Sequence, residues 1–486
     1  MSIARLAPAA RSSLFLFLLL AGPAVAATAR EAAAASTAPA GGGGDSSNPV
    51  PRRWNVVIVT ADTLRGDKLG VNGHPFIKTP HLDALAREGV NFRRAYTNIT
   101  TTTPSHATLF SSLYPQDHKA YDNLSKISDA ITTLPEILGK AGWHTAGIVN
   151  MPWLNPDVSG VSQGIEELAR GDHVRKAEKT TAWALDFLDR QQRAERPFYL
   201  WVHYVDNHTP YHAPGRYGRL YYPKGRDPRA GRSGSLQEVW PLFPADHRDS
   251  PYFHRWLDGI TDVDWVIAQY DGSVSWIDAN VGRLVDRLKA NGQWERTLFV
   301  FTADHGESLG EHNLWFCHGG LFEPTTHIPL ILHVPGGPTG EVEAIVDLVD
   351  VMPTVLAALR LPVPGGLRGE NLLPVIESKR GGGAALLDHT GRQMVGVVTP
   401  RWKYIRHRKT RTYYPGYEIR RGKIELYDLK NDPKETKNLA DSYPEKVREL
   451  EALVQKLRQG TKPFEEAAAP IDADTEEALR ALGYIR

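Results

Sequence analysis

Five short apolar runs, rich in β-branched and aromatic residues, alternate along the chain with segments of helical periodicity. The apolar runs lie at residues 55–60, 145–150, 198–204, 297–302 and 329–334. Helical periodicity is clearest at residues 81–89, 180–191 and 276–292. Strands buried on both faces of a sheet have continuous apolar sequences, and the helices between them act as crossovers. The pattern therefore predicts an α/β fold with a mostly parallel sheet flanked by helices.

The pattern changes near residue 364. Residues 394–407 and 423–429 alternate apolar and polar side chains, as antiparallel strands do, and residues 444–457 have the spacing of one amphipathic helix. We therefore expect a catalytic domain over residues 54–363 and a smaller C-terminal α+β domain with terminal helices over residues 364–486. A chain of 486 residues, 41% of them hydrophobic, is long enough for both.

The N-terminus has the features of a secretory signal. Arg5 and Arg11 precede the apolar stretch LFLFLLLAG, and the small residues AVA at 24–26 offer a cleavage site. We interpret residues 1–26 as a signal peptide and residues 27–53, rich in Ala, Gly, Ser and Pro, as a flexible leader. The apolar stretch is shorter than a membrane-spanning helix requires, so no stable span is expected after cleavage. An uncleaved anchor is the alternative.

Cysteine content and net charge narrow the class of protein further. The single cysteine, Cys317, excludes an intramolecular disulfide. An exported chain without disulfides fits a bacterial periplasmic or secreted enzyme. Lys plus Arg number 57 against 56 Asp plus Glu, a net charge of +1, so a nucleic acid polymer is not the expected partner.

Three of the predicted strands end on an aspartate. These residues are Asp62, Asp206 and Asp304, the last followed by His305. Ligands of open α/β sheets bind beyond the carboxyl ends of the strands. Carboxylates gathered there would repel one another and lose solvation unless a cation compensated their charge, so we predict one or two divalent metal ions. Nearby histidines favour zinc or manganese, with calcium as the alternative; they are His203, His208, His212, His305, His312 and His318.

A run of four threonines, residues 100–103, precedes Pro104 and an apolar helical segment. Pro104 suits the first helical position, which places Thr103 at the N-cap. A helix N-terminus favours anions, and a metal-bound hydroxyl there loses its proton readily and becomes a nucleophile. Position alone does not select one threonine, and the other interpretation is that all four cap and pack the helix.

Motifs spread over almost the whole mature chain resemble the sulfatase branch of the alkaline phosphatase superfamily. They are DTLRGDKLG (62–70), TPHLDALAREGVNFRRAYT (79–97), TTPSHATLFSSLYP (102–115), FTADHGESLGEH (301–312), DVMPTVLAAL (350–359), ELYDLKNDPKETKNLA (425–440) and LRALGYI (479–485). Several dispersed motifs in order are more specific than one short pattern. The resemblance implies an alkaline phosphatase-like fold and a metal-dependent ester hydrolase.

The nucleophile motif departs from that of true sulfatases. Sulfatases make formylglycine from Cys or Ser in a Cys/Ser-x-Pro-x-Arg motif, whereas this chain has Thr102 at the nucleophile position and His106 in place of the Arg. The pattern T-x-P-S-H is similar to the threonine-nucleophile phosphodiesterases of the same superfamily. Formylglycine is therefore not expected, and Cys317 is interpreted as a small core residue.

By matching positions, the resemblance implies one metal site formed by Asp62, Thr102, Asp304 and His305. His318 stands where sulfatases carry a substrate-binding Lys, and the loss of that fixed charge is consistent with a second cation in its place.

The ligands of a second ion are left open. Asp206 and His318 would bind it, or His318 would contact the oxyanion of the substrate directly. Two-metal members of the superfamily use an Asp and a His four residues apart, but the residue four after Asp206 is Pro210. His208 or His212 is therefore the alternative ligand. His208 also resembles a sulfatase histidine that contacts the ester or protonates the leaving group.

The combined expectation is an exported hydrolase that cleaves phosphate (di)esters or phosphonate esters through a metal-activated Thr102. The expected substrate is a small-molecule, glycan or lipid-headgroup ester. Three alternatives remain: a sulfatase without formylglycine, a transferase that passes the phosphoryl group to an alcohol, and a non-catalytic binding protein on the same fold. The oligomeric state is left open.

Overall fold

Nine strands form the central sheet of the computed structural model, which describes residues 50–171, 176–230, 236–378, 383–460 and 467–468. The strands are β1 (Asn55–Ala61), β2 (Val90–Tyr96), β3 (His144–Ile148), β4 (Glu167–Ala169), β5 (Phe198–Tyr204), β6 (Thr297–Ala303), β7 (His327–Ile328), β8 (Leu330–His333) and β9 (Gly340–Asp347). The predicted signal peptide and all of the leader except residues 50–53 lie outside the described residues.

The sheet is mostly parallel, as predicted. Strand β1 lies at its centre between β5 and β6, and β3 and β4 continue the parallel order beyond β5. Strands β1, β5 and β6 are buried along their whole length because helices cover both faces. The α/β fold class is therefore confirmed.

Two features at the β2 side of the sheet differ from the expectation. Strand β8, expected to be parallel, pairs antiparallel with both β6 and β2. The chain returns from β6 through a hairpin-containing loop, and no crossover helix long enough to restore a parallel direction separates them. Strands β2 and β9 were not predicted, because Arg93 and Arg94 interrupt the apolar run in β2 and Glu341 and Glu343 do so in β9.

The longer helices have the following bounds: α1 (Pro80–Glu88), α2 (Thr102–Ser111), α3 (Leu134–Lys140), α4 (Ala177–Arg190), α5 (Val263–Ala290), α6 (Val351–Ala358) and α7 (Pro444–Arg458). Shorter helices lie at Pro115–His118, Leu236–Val239, Ala245–Asp249, Pro251–Trp256, Glu323–Thr326 and Leu373–Ser378. Helix α5 begins well before the predicted residue 276, where Asp262 accepts a hydrogen bond from the Asp264 amide and caps it. Within the described residues, none of the helices combines the length and the apolarity that crossing a membrane requires.

A second, antiparallel sheet forms the C-terminal region, as predicted. It consists of β10 (Ala385–Asp388), β11 (Met394–Val398), β12 (Trp402–His407) and β13 (Ile424–Asp428), paired in that order. Leu450 and Val454 of α7 pack against it. The two sheets belong to one compact unit, so the domain boundary at residues 363/364 stays a prediction.

A buried lysine links the antiparallel sheet to the short helix at Glu323–Thr326, which precedes β7. Lys403 of β12 is fully buried, and its Nζ lies 2.7 Å from Glu323 Oε1 and 3.0 Å from Glu435 Oε1. Removing the lysine would leave the buried Glu435 carboxylate and the partly buried Glu323 carboxylate without their counter-charge. We therefore expect Lys403→Met to lower the free energy of unfolding by about 3–5 kcal/mol, measured by urea unfolding followed by tryptophan fluorescence.

The control for this substitution is Arg401→Met, at the residue directly before β12. Arg401 pairs with Asp428 at 2.7 Å, but about half of its side chain is exposed. A solvated ion pair contributes little, so the loss is expected to stay within about 1 kcal/mol. Equal losses from the two substitutions would contradict the account of Lys403.

Candidate active site

Asp62, Asp304 and His305 meet at the carboxyl ends of the two central strands β1 and β6. The strands pair in register up to Ala61 and Ala303, so the residue that follows each strand reaches the same edge of the sheet. One ligand atom from each of the three residues lies within 4.8 Å of the others, and all three side chains are buried. The structure thus brings together three of the residues expected to bind a metal.

Several buried polar atoms of this cluster have no hydrogen-bond partner among the described residues. These are both carboxylate oxygens of Asp62, Oδ2 of Asp304 and Nε2 of His305. Buried polar atoms are normally paired, since leaving them unpaired costs free energy. His305 Nδ1 lies 3.0 Å from the Gly306 carbonyl and donates to it, so Nε2 presents a lone pair to the cluster. Two carboxylates and one imidazole lone pair fit a divalent cation.

The electrostatics of the cluster favour the binding of a cation. Burial raises the pKa of Asp62 to about 7. Burial, together with the charge of Asp62, raises the pKa of Asp304 well above its usual range. Burial lowers the pKa of His305. A bound cation would favour both carboxylates in their charged form and the imidazole in its neutral form.

The raised pKa of Asp62 predicts how pH affects the stability of the protein when a chelator keeps it free of metal. The folded state binds the proton of the Asp62 carboxyl more tightly than the unfolded chain does, in which an aspartate has a pKa of about 3.9. The contribution of Asp62 to stability therefore falls as pH rises towards 7. Asp62→Asn does not titrate. With chelator present, this variant is therefore expected to gain stability relative to the wild type between pH 5 and pH 8.

Thermal unfolding of both proteins at several pH values checks this expectation. The variant-to-wild-type difference cancels the titration of groups that lie far from Asp62 and are shared by the two proteins. A difference that does not change with pH in chelator would contradict a raised pKa of Asp62. Adding a binding cation at pH 8 is expected to reverse the order of stability, because the wild type alone keeps the Asp62 ligand.

The residue after Asp62 is held in a strained conformation. Thr63 has φ = 57°, a region that β-branched residues rarely adopt and that costs about 1–3 kcal/mol. Three hydrogen bonds hold it: its amide donates to Asp304 Oδ1 at 3.1 Å, its hydroxyl to the Asn207 carbonyl at 2.6 Å, and its carbonyl accepts from the Tyr270 hydroxyl at 2.7 Å. The strained turn thus fixes the strand end that carries Asp62 relative to Asp304.

Helix α2 begins at Thr102, two residues earlier than predicted. Thr101 is the N-cap, so the placement of Thr103 at the cap and Pro104 at the first helical position was wrong. Proline is tolerated here because the first four amides of a helix lack intrahelical partners. The Thr103 amide donates to Asn123 Oδ1 at 2.9 Å. Asn123 thus makes the capping hydrogen bond that the side chain of the N-cap residue usually makes.

Thr102 is buried, and its Oγ1 has no hydrogen-bond partner in the part of the chain that the structure describes. The first turn of α2 is attached to the metal-binding edge, because the Ser105 hydroxyl donates to the Asp304 carbonyl at 2.6 Å. An unpaired hydroxyl at a helix N-terminus therefore lies at the same end of the sheet as the carboxylates.

His318 and His208 also lie at this end. The ring centroid of His318 is 4.6 Å from that of His305 and 5.7 Å from that of His208. His208 Nδ1 donates to the Thr209 carbonyl at 2.7 Å, and burial, aided by His318, lowers the pKa of His208 to about 3. His208 is therefore neutral, with its proton on Nδ1.

Glu307 is a residue of this site that the sequence analysis missed. It is fully buried, neither carboxylate oxygen has a hydrogen-bond partner among the described residues, and Oε2 lies 3.9 Å from His318 Nδ1. Burial lowers the pKa of His318, but Glu307 and the two aspartates more than offset this and raise it. Its position two residues after His305, in FTADHGESLGEH, was the available signal.

Asp206 lies in a different group. It accepts a hydrogen bond from the Ala177 amide at 3.0 Å and so caps helix α4. Its ligand atoms lie within 4.8 Å of those of Glu178 and His212. This group contains His212, one of the two alternative ligands. Burial raises the pKa of Asp206 to about 7, although the charge of the nearby Lys176 opposes the rise.

Two further histidines of the predicted cluster, His203 and His312, lie in different surroundings. His203 Nε2 lies 3.7 Å from Asp62 Oδ2, directly behind the metal-binding edge. His312 instead stacks on Phe322, with ring centroids 3.6 Å apart. Cys317 is buried, as predicted for a core residue.

Known protein families match most of this chain. The sequence profile of the family described as Sulfatase matches residues 54–361, and that of N-sulphoglucosamine sulphohydrolase, C-terminal, matches residues 310–462. An arylsulfatase of Clostridium perfringens (strain 13 / Type A) is 26% identical over 483 residues, 84% of this chain and 94% of the relative. A choline-sulfatase of Rhizobium meliloti (strain 1021) is 24% identical over 447 residues, 80% of this chain and 82% of the relative.

Solved structures share the fold. The phosphonate monoester hydrolase of Agrobacterium radiobacter aligns with a TM-score of 0.66 at 22% identity, over 84% of this chain and 95% of that chain. A protein in complex with its substrate D-glucosamine-2-N,6-O-disulfate aligns with a TM-score of 0.65 at 22% identity, over 83% of this chain and 97% of that chain. Because the Sulfatase profile spans more than half of its length, the chain belongs to the sulfatase family of the alkaline phosphatase superfamily and is a hydrolase.

Proposed function

We propose that this hydrolase cleaves phosphate diesters or phosphonate esters and that Thr102 is its nucleophile. The observation that carries the proposal is the buried Thr102 hydroxyl, which has no hydrogen-bond partner among the described residues and lies at the N-terminus of α2. Neither Cys nor Ser, from which formylglycine is made, occupies this position. An unmodified alcohol suits phosphoryl transfer, because water can release the resulting phosphothreonine.

Asp62, Asp304 and His305 would hold a divalent cation, for which we propose zinc or manganese, with calcium as the alternative. When bound, the cation would supply positive charge that lowers the pKa of a nearby hydroxyl and balances charge developing on the phosphoryl oxygens. Thr102 is the proposed fourth ligand of this ion, and His318 is proposed either to bind a second ion or to contact the oxyanion of the substrate directly. Asp206 is the proposed ligand of a second ion, with Glu178 and His212 as its neighbours.

The covalent steps balance as follows. In the first step Thr102 Oγ1 forms a bond to phosphorus, the bond from phosphorus to the leaving oxygen breaks, the threonine proton is released and the leaving alcohol takes up a proton. In the second step water attacks the same phosphorus, the bond to Oγ1 breaks and the threonine hydroxyl is restored. The net reaction is hydrolysis of one ester bond.

The remaining side chains divide the tasks of binding and orientation. The N-terminus of α2 favours the anionic ester through the helix dipole. His318, next to the Glu307 carboxylate, would stabilise the equatorial oxygens. For His208, the neutral ring with its proton on Nδ1 favours contact with the ester over protonation of the leaving group.

The proposed setting is the bacterial periplasm or the extracellular space, on the basis of the signal peptide predicted at residues 1–26. There the substrate would be a small-molecule, glycan or lipid-headgroup ester. This part of the proposal rests on residues 1–26 and on the family.

Sulfate ester hydrolysis through unmodified Thr102 is the second candidate function. It is favoured by the match to the Sulfatase profile and by relatives named as arylsulfatase and choline-sulfatase. Against it stands the chemistry of the nucleophile, since a sulfated threonine lacks the hydrated-aldehyde route by which formylglycine expels sulfate.

Hydrolysis rates of four esters that release the same aryl alcohol separate these candidates. The substrates are the phosphate monoester, a phosphodiester, a phosphonate monoester and the sulfate ester, each assayed with zinc, manganese or calcium. The proposal expects the highest kcat/KM for the phosphodiester or the phosphonate monoester. Dominant sulfate turnover would replace it by the second candidate, and added alcohol acceptors would reveal a transferase.

A further inference from the structure

We propose that His106 is a positioning residue that holds the Thr102 nucleophile through the N–H group at Nδ1. The inference rests on the proposed function, because it assigns a role to a neighbour of Thr102. His106 stands where the sulfatase motif has arginine, and the geometry around it differs from that of a residue directed at a substrate.

The imidazole is attached to Thr102 itself. His106 follows Thr102 by one turn of α2 and is completely buried, and its Nδ1 lies 2.8 Å from the Thr102 carbonyl oxygen. A carbonyl only accepts, so Nδ1 carries the proton and donates it. The side chain therefore fixes the peptide group of the proposed nucleophile.

A second hydrogen bond, on the other side of the ring, agrees with the same tautomer. His106 Nε2 lies 3.1 Å from Thr60 Oγ1, and the Trp201 indole N–H donates to that oxygen at 2.9 Å. The Thr60 hydroxyl accepts from the indole N–H, which only donates. Because the proton of the neutral imidazole is on Nδ1, Nε2 accepts, and the Thr60 hydroxyl donates its own proton to Nε2. The hydrogen bonds thus run in one direction, from Trp201 through Thr60 and His106 to the Thr102 carbonyl.

The partners of this chain are rigid parts of the fold. Thr60 lies on β1 and Trp201 on β5, which are neighbouring strands at the centre of the sheet. The His106 ring packs against Trp201 and Phe110, with centroids 5.1 Å and 6.2 Å away, and burial lowers its pKa. The central sheet therefore holds the first turn of α2 through a neutral imidazole.

This arrangement has a specific consequence for the reaction. Thr102 Oγ1 has no hydrogen-bond partner among the described residues, so its direction depends on the position of its own backbone. Displacement of a nucleophile by about 1 Å costs on the order of 100-fold in rate. Losing the Nδ1 contact is therefore expected to lower kcat and to leave KM nearly unchanged, because substrate binding does not use this contact.

Three substitutions of His106 test which ring nitrogen matters. In His106→Asn the amide N–H takes the place of Nδ1–H, in His106→Gln it takes the place of Nε2, and His106→Phe fills the volume without polar atoms. The Asn variant is expected to keep kcat within about 3-fold, and the Gln and Phe variants to lose about 10- to 100-fold. Equal kcat losses in all three, or none, would overturn the inference.

His118 provides the matched control. It is also a completely buried histidine, bonded through Nε2 to the Thr108 hydroxyl at 3.1 Å and through Nδ1 to the Ala120 amide at 3.1 Å. His118→Phe is expected to lower the melting temperature without changing kcat of the folded fraction. If His118→Phe lowers kcat as much as His106→Phe does, the effect is general loosening of the helix and the inference fails.

A spectroscopic readout separates failure of this inference from failure of the proposed function. The measurement is the NMR spectrum of the chain labelled with ¹⁵N-histidine. The signals of His106 are assigned as those lost in His106→Phe, and they are expected to show a protonated Nδ1 and an unprotonated Nε2. The opposite tautomer would overturn the inference whatever the activity. A Thr102→Ala variant that stays active overturns the proposed function, and with it the role of His106, even if the tautomer is as expected.

Discussion

Thr102→Ala is expected to lower kcat by at least about a thousandfold on the preferred phosphorus ester. The hydroxyl oxygen of Thr102 forms the bond to phosphorus in the proposed mechanism, and alanine offers no atom that replaces it. Thr102→Ser keeps the oxygen but loses the methyl group that restricts its rotamer, so an intermediate loss is expected. Initial rates at saturating substrate, with circular dichroism to confirm folding, measure both effects.

Thr100 supplies a demanding control. It is the other residue of the threonine run whose buried hydroxyl lacks a hydrogen-bond partner in the described chain. Because Thr100 precedes the helix, Thr100→Ala is expected to retain most of kcat. Activity that survives in Thr102→Ala but is lost in Thr100→Ala would move the nucleophile to Thr100.

A trapped intermediate would identify the bond directly. Rapid quenching during turnover of a phosphodiester is expected to leave a phosphoryl adduct on Thr102 that still carries the second ester group. Peptide mass spectrometry then distinguishes it from a sulfated threonine, which has no such group. An adduct on another residue would contradict the mechanism.

Asp304→Asn is expected to abolish cation-dependent stabilisation together with activity. A ligand present at about a thousand times its dissociation constant stabilises the folded state by about 4 kcal/mol. The Asn variant keeps the shape of the side chain but loses the charge that the cluster offers a cation. Thermal unfolding with and without zinc or manganese is expected to show a rise in melting temperature for the wild type only.

The control for the cluster is Asp278→Asn. Asp278 of α5 is buried like Asp304, and burial raises its pKa to about 7, but it accepts a hydrogen bond from the Leu82 amide and faces α1. This variant should keep the cation response of the wild type. A response that persists in Asp304→Asn would place the cation elsewhere, and Glu178, Asp206 and His212 would then be the group to substitute.

Much of the fold was predictable because strands β1, β3, β5 and β6 are buried on both faces and therefore consist of apolar residues. Strands β2 and β9 lie at the side of the sheet where polar side chains reach solvent, so their sequences carry a weaker signal. The start of α2 was misplaced because its capping group, Asn123, comes from a distant loop.

The sequence by itself determined the α/β class, the family and the aspartates that end the central strands, since burial follows from residue type and the parallel direction of the central strands from their alternation with helices. Only the tertiary structure decided which of these side chains meet. It joined Asp62 to Asp304 and His305, placed Asp206 at the N-terminus of α4, and brought Glu307 to His318. These distances depend on the lateral order of the strands and on the direction of each side chain, and no local pattern in the sequence specifies either.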